Sequence, residues 1–174
     1  MIAKRFNQVF WGFILVILDL NINEFDVLPD FVGYILLAVG TGGLNAVSPK
    51  FGLASTLSWV LMCLSFLGFF VSGDFTTVLT VVDLAVDCAM MWNLLGGVMA
   101  FSEEHGRADL VLRASKRRLA YVVLMVSVSI IGYLAVDMGS AVITVMIAIV
   151  LLVILIMILH LIRQVRNEIA MGLA

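Results

Sequence analysis

The feature that most constrains the fold is a series of six apolar segments that fill most of the 174-residue chain. Hydrophobic residues make up 63% of the sequence and charged residues only 13%, about half the charged share of an ordinary soluble domain. Helices suit such a chain because they satisfy their own backbone hydrogen bonds in lipid. The sequence therefore predicts an all-α integral membrane protein, a single bundle of six transmembrane helices within residues 1–174. The predicted spans are residues 6–22, 31–47, 54–71, 76–101, 119–136 and 141–162.

The distribution of charge predicts how these spans are oriented. If the amino terminus is cytoplasmic, all ten Lys and Arg residues fall in cytoplasmic segments and the outer loops carry only acids. Removing any one span would place a basic cluster on the wrong face. We therefore predict a multi-pass protein with both termini in the cytoplasm (N-in/C-in), with the lipid bilayer as its environment and with no nucleic-acid partner.

The fourth predicted span contains two acidic residues, Asp83 and Asp87. On insertion scales, a carboxylate at the centre of a membrane helix costs about 2.5 to 3.5 kcal/mol, so two of them call for a function, a pairing or a protonation. Residues four apart lie on one face of a helix, and Thr80 shares that face. We expect this face to contact protein or water rather than lipid.

More polar groups occur near the outer ends of the first two predicted spans. If spans one and four are neighbours, these groups and the two acids of span four form an acidic pocket that opens outward. No Lys or Arg lies within a span to neutralise it. The sequence thus predicts a binding site for a cation or small cationic solute, in a carrier or binding subunit. The predicted site residues are Asp83, Asp87, Asp19, Thr80, Asn23, Asp26 and Asp30, and Asp83 and Asp87 are the candidate ligands if the cation is a metal.

A structural role for the buried acids is the alternative. Asp83 and Asp87 would then be protonated or hydrogen-bonded groups that join helices, each bond contributing about 1 kcal/mol. Under this hypothesis, the chain is a non-catalytic partner or assembly subunit for another membrane protein, or forms a homo-oligomer.

The sequence argues against an enzyme and predicts no cofactor. It contains no Ser-His, Cys-His or Gly-x-Gly-Asp arrangement typical of intramembrane catalysis. Asp26-x-x-x-Asp30 and Asp83-x-x-x-Asp87 are similar in spacing to the paired motifs with which membrane prenyltransferases hold magnesium diphosphate. Those enzymes have more spans and basic residues near the phosphates, whereas the bases here are predicted on the opposite face.

Three local patterns predict how helices begin and pack. Gly33 and Gly40 in span two allow a neighbouring helix to approach closely, and the turn at residues 48–50 is expected to end that span. Residues 109–118 alternate apolar and basic side chains. They fit a helical extension of span five, a helix on the lipid headgroups or an ordinary positive-inside signal, and we favour the last.

One segment resembles a known group of proteins. Residues 28–34 read Leu-Pro-Asp-Phe-Val-Gly-Tyr, which is similar to the LPDF(I/V)GY segment found at the start of a span in small uncharacterised bacterial membrane proteins. The resemblance covers only these seven of the 174 residues. It implies a location in the bacterial cytoplasmic (inner) membrane and implies no particular chemistry.

Overall fold

The fold of the described chain is helical, as the sequence predicts. A computed structural model describes residues 1–18, 21–22, 25–26, 30–68, 70, 75–135 and 141–172, with side chains described in these ranges except at 18–30, 131–135, 141–144 and 146–148. The helices are α1 (Ile2–Leu18), α2 (Asp30–Gly42), α3 (Pro49–Gly68), α4 (Phe75–Glu104), α5 (Ala108–Ala135) and α6 (Ala141–Val165), followed by a π-helix (Arg166–Ala170). Between α1 and α2, the two-residue strands β1 (Asn21–Ile22) and β2 (Phe25–Asp26) pair antiparallel, with Asn21 opposite Asp26 and Ile22 opposite Phe25.

Three of the helical segments are long and apolar enough to cross a membrane. Among the described residues, these are Pro49–Gly68, Phe75–Glu104 and Ile149–Ala170. The helix α2 has only 13 residues, which rise about 20 Å against a hydrocarbon core about 30 Å thick. The structure thus supports a membrane protein with three such helices, where the sequence predicts six spans.

The six helices form a closed ring. Each helix packs against the next one in the chain, and α6 returns to pack against α1. Polar contacts join several of these neighbours. Ser55 Oγ on α3 donates to Ala38 O on α2 at 2.8 Å, Arg117 Nη1 on α5 donates to Met157 O on α6 at 2.5 Å, and Arg166 Nη1 donates to Asn7 Oδ1 on α1 at 2.6 Å.

The most densely buried part of the core lies at one end of the ring. There the ring of Phe6 lies 6.0 Å from that of Phe51 and 5.6 Å from that of Phe101, and all three side chains are about 1% exposed or less. The helices α1, α3 and α5 begin at this end, whereas α4 and α6 finish there. All ten Lys and Arg residues lie toward the same end, which we call the basic end: Lys4, Arg5, Lys50, Arg107, Arg113, Lys116, Arg117, Arg118, Arg163 and Arg166.

The bounds of α2 and α3 correct one prediction. The helix α2 finishes at Gly42, and residues 43–47 form turns. Pro49 then opens α3, where its missing N–H costs nothing in the first turn. The Ser48 hydroxyl accepts a hydrogen bond from the Lys50 N–H at 3.4 Å and caps the helix. Residues 48–50 therefore start the third helix instead of ending the second.

A short turn joins α4 to α5. Gly106 has a φ of 69°, a left-handed conformation that glycine adopts without strain. Its N–H donates to Glu103 O at 3.0 Å and that of Arg107 to Ser102 O at 2.9 Å, the two bonds of a Schellman motif. From Ala108 onward, α5 is one continuous helix. Residues 109–118 thus form a helical extension of span five, and this is compatible with the favoured interpretation of their bases as a positive-inside signal, which stays a prediction.

Arg107 also ties the turn to the last helical segment. Its guanidinium forms ion pairs with Asp109, at 3.0 Å, and with Glu168 of the π-helix. The hydrogen bond from Arg107 holds the pKa of Asp109 below its usual value. The basic end is thus cross-linked by charge outside the apolar core.

Candidate functional site

A cavity of about 320 Å³ lies inside the ring, between α1, α2, α4, α5 and α6. Ligand sites in proteins typically start at about 300 Å³ and combine apolar walls with a few polar groups. The cavity fits this description, because most of its wall is apolar and its polar groups are concentrated on α4 and α5. It is lined by Phe13, Val16, Ile17, Tyr34, Leu37, Thr80, Asp83, Leu84, Asp87, Met90, Met91, Tyr121, Met125, Ser129 and Leu155.

The helix α4 presents both acids to this cavity. Thr80, Asp83 and Asp87 follow the helical repeat, so they lie on one face, and that face points into the ring. Met90 and Met91 continue the wall toward the basic end, where both are 1% exposed. The sequence-based expectation that the acids of this span face the protein interior or water agrees with their position.

Asp87 is held by a hydrogen bond from the neighbouring helix. The hydroxyl of Tyr121, on α5, donates to Asp87 Oδ2, and the tyrosine side chain is 4% exposed. Sequence reasoning did not assign Tyr121 to the site. The short turn between α4 and α5 could have identified it. Residues at comparable distances before and after such a turn face each other across the two helices.

Asp83 has a different environment. Among the described residues, none forms a hydrogen bond or an ion pair with its carboxylate. A second cavity, of about 240 Å³, lies between α2, α3 and α4 and shares Tyr34, Thr80 and Asp83 with the first. Asp83 therefore borders both spaces. The Thr80 hydroxyl donates to Thr76 O at 2.9 Å, so its oxygen remains available only as an acceptor.

The other predicted site residues fall in the segment that connects α1 and α2. Asp19 and Asn23 lie outside the described residues. Asp26 belongs to β2 and Asp30 opens α2, but their side chains are outside the described set. Within the described residues, the structure thus brings together Asp83, Asp87 and Thr80.

The first and fourth helices, predicted to be neighbours, lie on opposite sides of the cavity. The helix α4 packs mainly against α3 and α5, and α1 packs mainly against α2 and α6. The two helices instead face each other across the cavity, to which α1 contributes Phe13, Val16 and Ile17. The two helices also touch at the basic end, where the ring of Phe6 lies 5.6 Å from that of Phe101, and the void that a binding site requires lies between them beyond this contact.

The electrostatics of the cavity are dominated by its acids. No Lys or Arg is among the described residues that line it. The described residues also contain no group of three or more His, Cys, Asp and Glu side chains that could hold a metal ion. The described wall therefore offers a positively charged ligand two carboxylates, several hydroxyl oxygens and a large apolar surface.

Comparison with known proteins adds no family to this description. No protein-family model, curated protein or solved structure matches the chain. The chemistry of the cavity is accordingly the basis on which a function is proposed.

Proposed function

We propose that the protein is a small six-span, multi-pass protein of the bacterial inner membrane that binds, as a carrier or binding subunit, a cationic solute in the cavity between its helices. The single observation that supports this proposal best is the presence of two α4 carboxylates in an otherwise largely apolar cavity whose described wall contains no base. Intramembrane acids are expensive, and their usual explanation is a pathway or a site for a positively charged species.

An organic cation fits the cavity better than a metal ion. Mg²⁺ and Ca²⁺ take six or more oxygen ligands in protein sites, whereas the described wall has two carboxylates and no further acidic or imidazole ligand. Its methionine and phenylalanine side chains suit alkyl or aromatic groups attached to a positively charged centre. A quaternary or protonated amine with an apolar body matches both features.

The two acids take different parts in this proposal. Asp87 already accepts a hydrogen bond from Tyr121, whereas Asp83 makes no described bond and borders both cavities. In this proposal, Asp83 is the principal counter-charge for the ligand. Asp87, held by Tyr121, is a fixed part of the cavity wall. Asp19, Asn23, Asp26 and Asp30 are retained in the proposal as the outer rim of the site.

The proposed orientation follows from the distribution of bases and of packing. All ten Lys and Arg residues lie toward the basic end, as the positive-inside rule requires of a cytoplasmic face. Between that end and the cavity, the interior is filled by side chains that are about 1% exposed or less, among them Leu94, Leu95 and Phe101. The ligand accordingly enters from the opposite, outer half.

A structural role for the acids is the second candidate, and the bond between Tyr121 and Asp87 is the observation that favours it. In this alternative, the cavity is a packing defect, and the chain serves as a non-catalytic partner of another membrane protein or of a second copy. It predicts that removing the carboxylate of Asp83 changes no binding property.

Binding of alkyltrimethylammonium ions of increasing chain length to the detergent-solubilised protein tests the proposal by isothermal titration calorimetry. We expect saturable binding to the wild type, with Asp83→Asn weakening it by about tenfold or more because a counter-charge in the cavity wall is lost. Asp109→Asn, which removes an acid at the basic end, is the matched control and should bind like the wild type.

Two results would overturn this proposal. One is the absence of saturable binding by the wild type for every chain length. The other is equal affinity of the wild type and Asp83→Asn, with both proteins folded. Either result would leave the structural role of the acids as the better explanation.

A further inference from the structure

Two cationic side chains converge over a glycine on the outer surface of the ring. Lys50 comes from the first turn of α3 and Arg118 from α5, and both cover Gly96 of α4. From the point that a Cβ atom at position 96 would occupy, Lys50 Cε lies at 3.8 Å and Arg118 Nη1 at 3.6 Å. Lys50 Cε and Arg118 Nη1 are therefore separated by no more than the sum of these two distances. We call this arrangement of Lys50, Gly96 and Arg118 the Gly96 cradle.

The cradle depends on the missing side chain. A Cβ at position 96 would lie 3.0 Å from Lys50 Cδ, closer than nearly all real contacts of this kind. Glycine therefore allows the aliphatic part of Lys50 to cross α4 beside the Arg118 guanidinium. Two like charges held this close repel each other, so the arrangement gains from an anion between them.

No protein group in the described chain neutralises the cradle. The ion pairs of the described residues all belong to Arg107. The guanidinium carbon of Arg118 lies 3.2 Å from the centre of the Trp92 ring, and its Nη1 lies 3.9 Å from Met99 Sδ. Its Nε atom is buried and makes no hydrogen bond within the described structure. Arg118 thus keeps unused donors as well as an uncompensated charge.

The surroundings of the cradle indicate a membrane headgroup region. Arg118 directly precedes the apolar segment that starts at residue 119, and the neighbouring Trp92 is 42% exposed on the outer surface of the ring. A pair of outward-facing bases at the start of an apolar segment is placed to meet the phosphates of lipids.

We propose that the Gly96 cradle binds the phosphate of an anionic phospholipid in the cytoplasmic leaflet. This proposal rests on the proposed membrane orientation and is independent of cation binding in the cavity. A zwitterionic headgroup carries its own ammonium, which the two bases repel, whereas the headgroup of phosphatidylglycerol has only the negative charge. Trp92 and Met99 provide the apolar surface for the upper part of an acyl chain.

Thermal unfolding in mixed micelles tests the proposal. Added phosphatidylglycerol should raise the unfolding midpoint of the wild type more than added phosphatidylcholine does, because a ligand that binds only the folded state stabilises it. Lys50→Gln, on an exposed side chain, should remove about half or more of this difference if both bases share the phosphate. Arg118→Gln should remove it as well, and Lys116→Gln, on an exposed face of the same helix, should keep it.

Several outcomes would overturn the proposal. The first is equal stabilisation of the wild type by the two lipids. The second is an equal loss of the lipid effect in Lys116→Gln and Lys50→Gln, which would indicate a general surface charge effect. The third is full stabilisation by soluble glycerol phosphate, which would identify a free phosphate compound as the ligand. Because Lys50→Gln leaves Arg118 and its packing on Trp92 unchanged, failure of Arg118→Gln to fold does not affect the test.

Discussion

Asp83 and Asp87 show how the surroundings of a residue separate two identical side chains on one helix. They are one turn apart and line the same cavity. Asp87 accepts a hydrogen bond from Tyr121, whereas Asp83 makes no described bond and also borders the second cavity. The sequence named both acids as candidate ligands, and the structure places them in different environments, Asp87 bonded to a neighbouring helix and Asp83 without a described hydrogen bond.

Substitution of Tyr121 by Phe tests this difference at the residue scale. Tyr121→Phe removes the hydroxyl and leaves the carboxylate of Asp87, so we expect the free energy of unfolding to fall by about 0.5 to 1.5 kcal/mol, the range for interhelical hydrogen bonds in membranes. Cation affinity should change much less than in Asp83→Asn. Unfolding in a denaturing detergent and titration calorimetry measure the two quantities.

The double variant Tyr121→Phe/Asp87→Asn is the control for this prediction. If the hydroxyl and the carboxylate interact, the stability losses of the two single variants are not additive. Additive losses would show that the two side chains do not stabilise each other and would contradict the proposed holding role of Tyr121.

At the scale of helices, the closest packing joins α1 to α2. A Cβ at Gly33 would lie 2.5 Å from Val16 Cγ2 and 3.0 Å from the backbone of Gly12. At Gly40, a Cβ would lie 2.9 Å from the backbone nitrogen of Val9. The expectation that glycines of the second span allow a close neighbour is thus met by α1, which forms the cavity wall opposite the acids.

Alanine at Gly33 is therefore expected to separate α1 from α2. Because the obstructing atoms include backbone, Gly33→Ala should destabilise the protein by about 1 to 3 kcal/mol, as overpacking does. Gly68→Ala is the matched control, since no atom lies within 4 Å of a Cβ at that position, and it should be neutral or slightly stabilising. Equal stability of both variants in a detergent unfolding experiment would contradict the close packing.

The helices were more predictable from the sequence than their ends or their partners. Apolar length and helical spacing placed Asp83 and Asp87 on one inward face, because periodicity within a helix is a local property. The end of α2 at Gly42 and the start of α3 at Pro49 were missed, since the apolar pattern continues through the turn between them. Tyr121 was missed as a partner because contacts between helices depend on the turn that joins them.

For the whole molecule, the gathering of all bases at one end makes the orientation testable. In a variant whose native Cys63 and Cys88 are replaced by Ala, a single cysteine at Lys116 should react with a membrane-impermeant maleimide only from the cytoplasmic face. A cysteine at Phe75, 61% exposed at the opposite end of α4, should react only from outside. Right-side-out and inside-out vesicles provide the two measurements.

The control for the orientation is labelling of both variants in denatured membranes, where each cysteine should react fully. Reaction of Lys116→Cys and Phe75→Cys from the same side would mean that α4 and α5 do not cross the membrane as proposed. Reaction of Lys116→Cys from outside alone would reverse the proposed orientation and place the cavity on the cytoplasmic side.

The contact between α1 and α6 closes the ring, and it has a consequence for how the protein is made. During synthesis, α4 leaves the ribosome well before α6, which supplies the last part of the cavity wall through Leu155. Until then, the side of the cavity between α1 and α5 lacks its last helix. Under the proposed six-span topology, the interval between the insertion of α4 and the arrival of α6 is therefore the stage at which the two acids lie in an incomplete cavity.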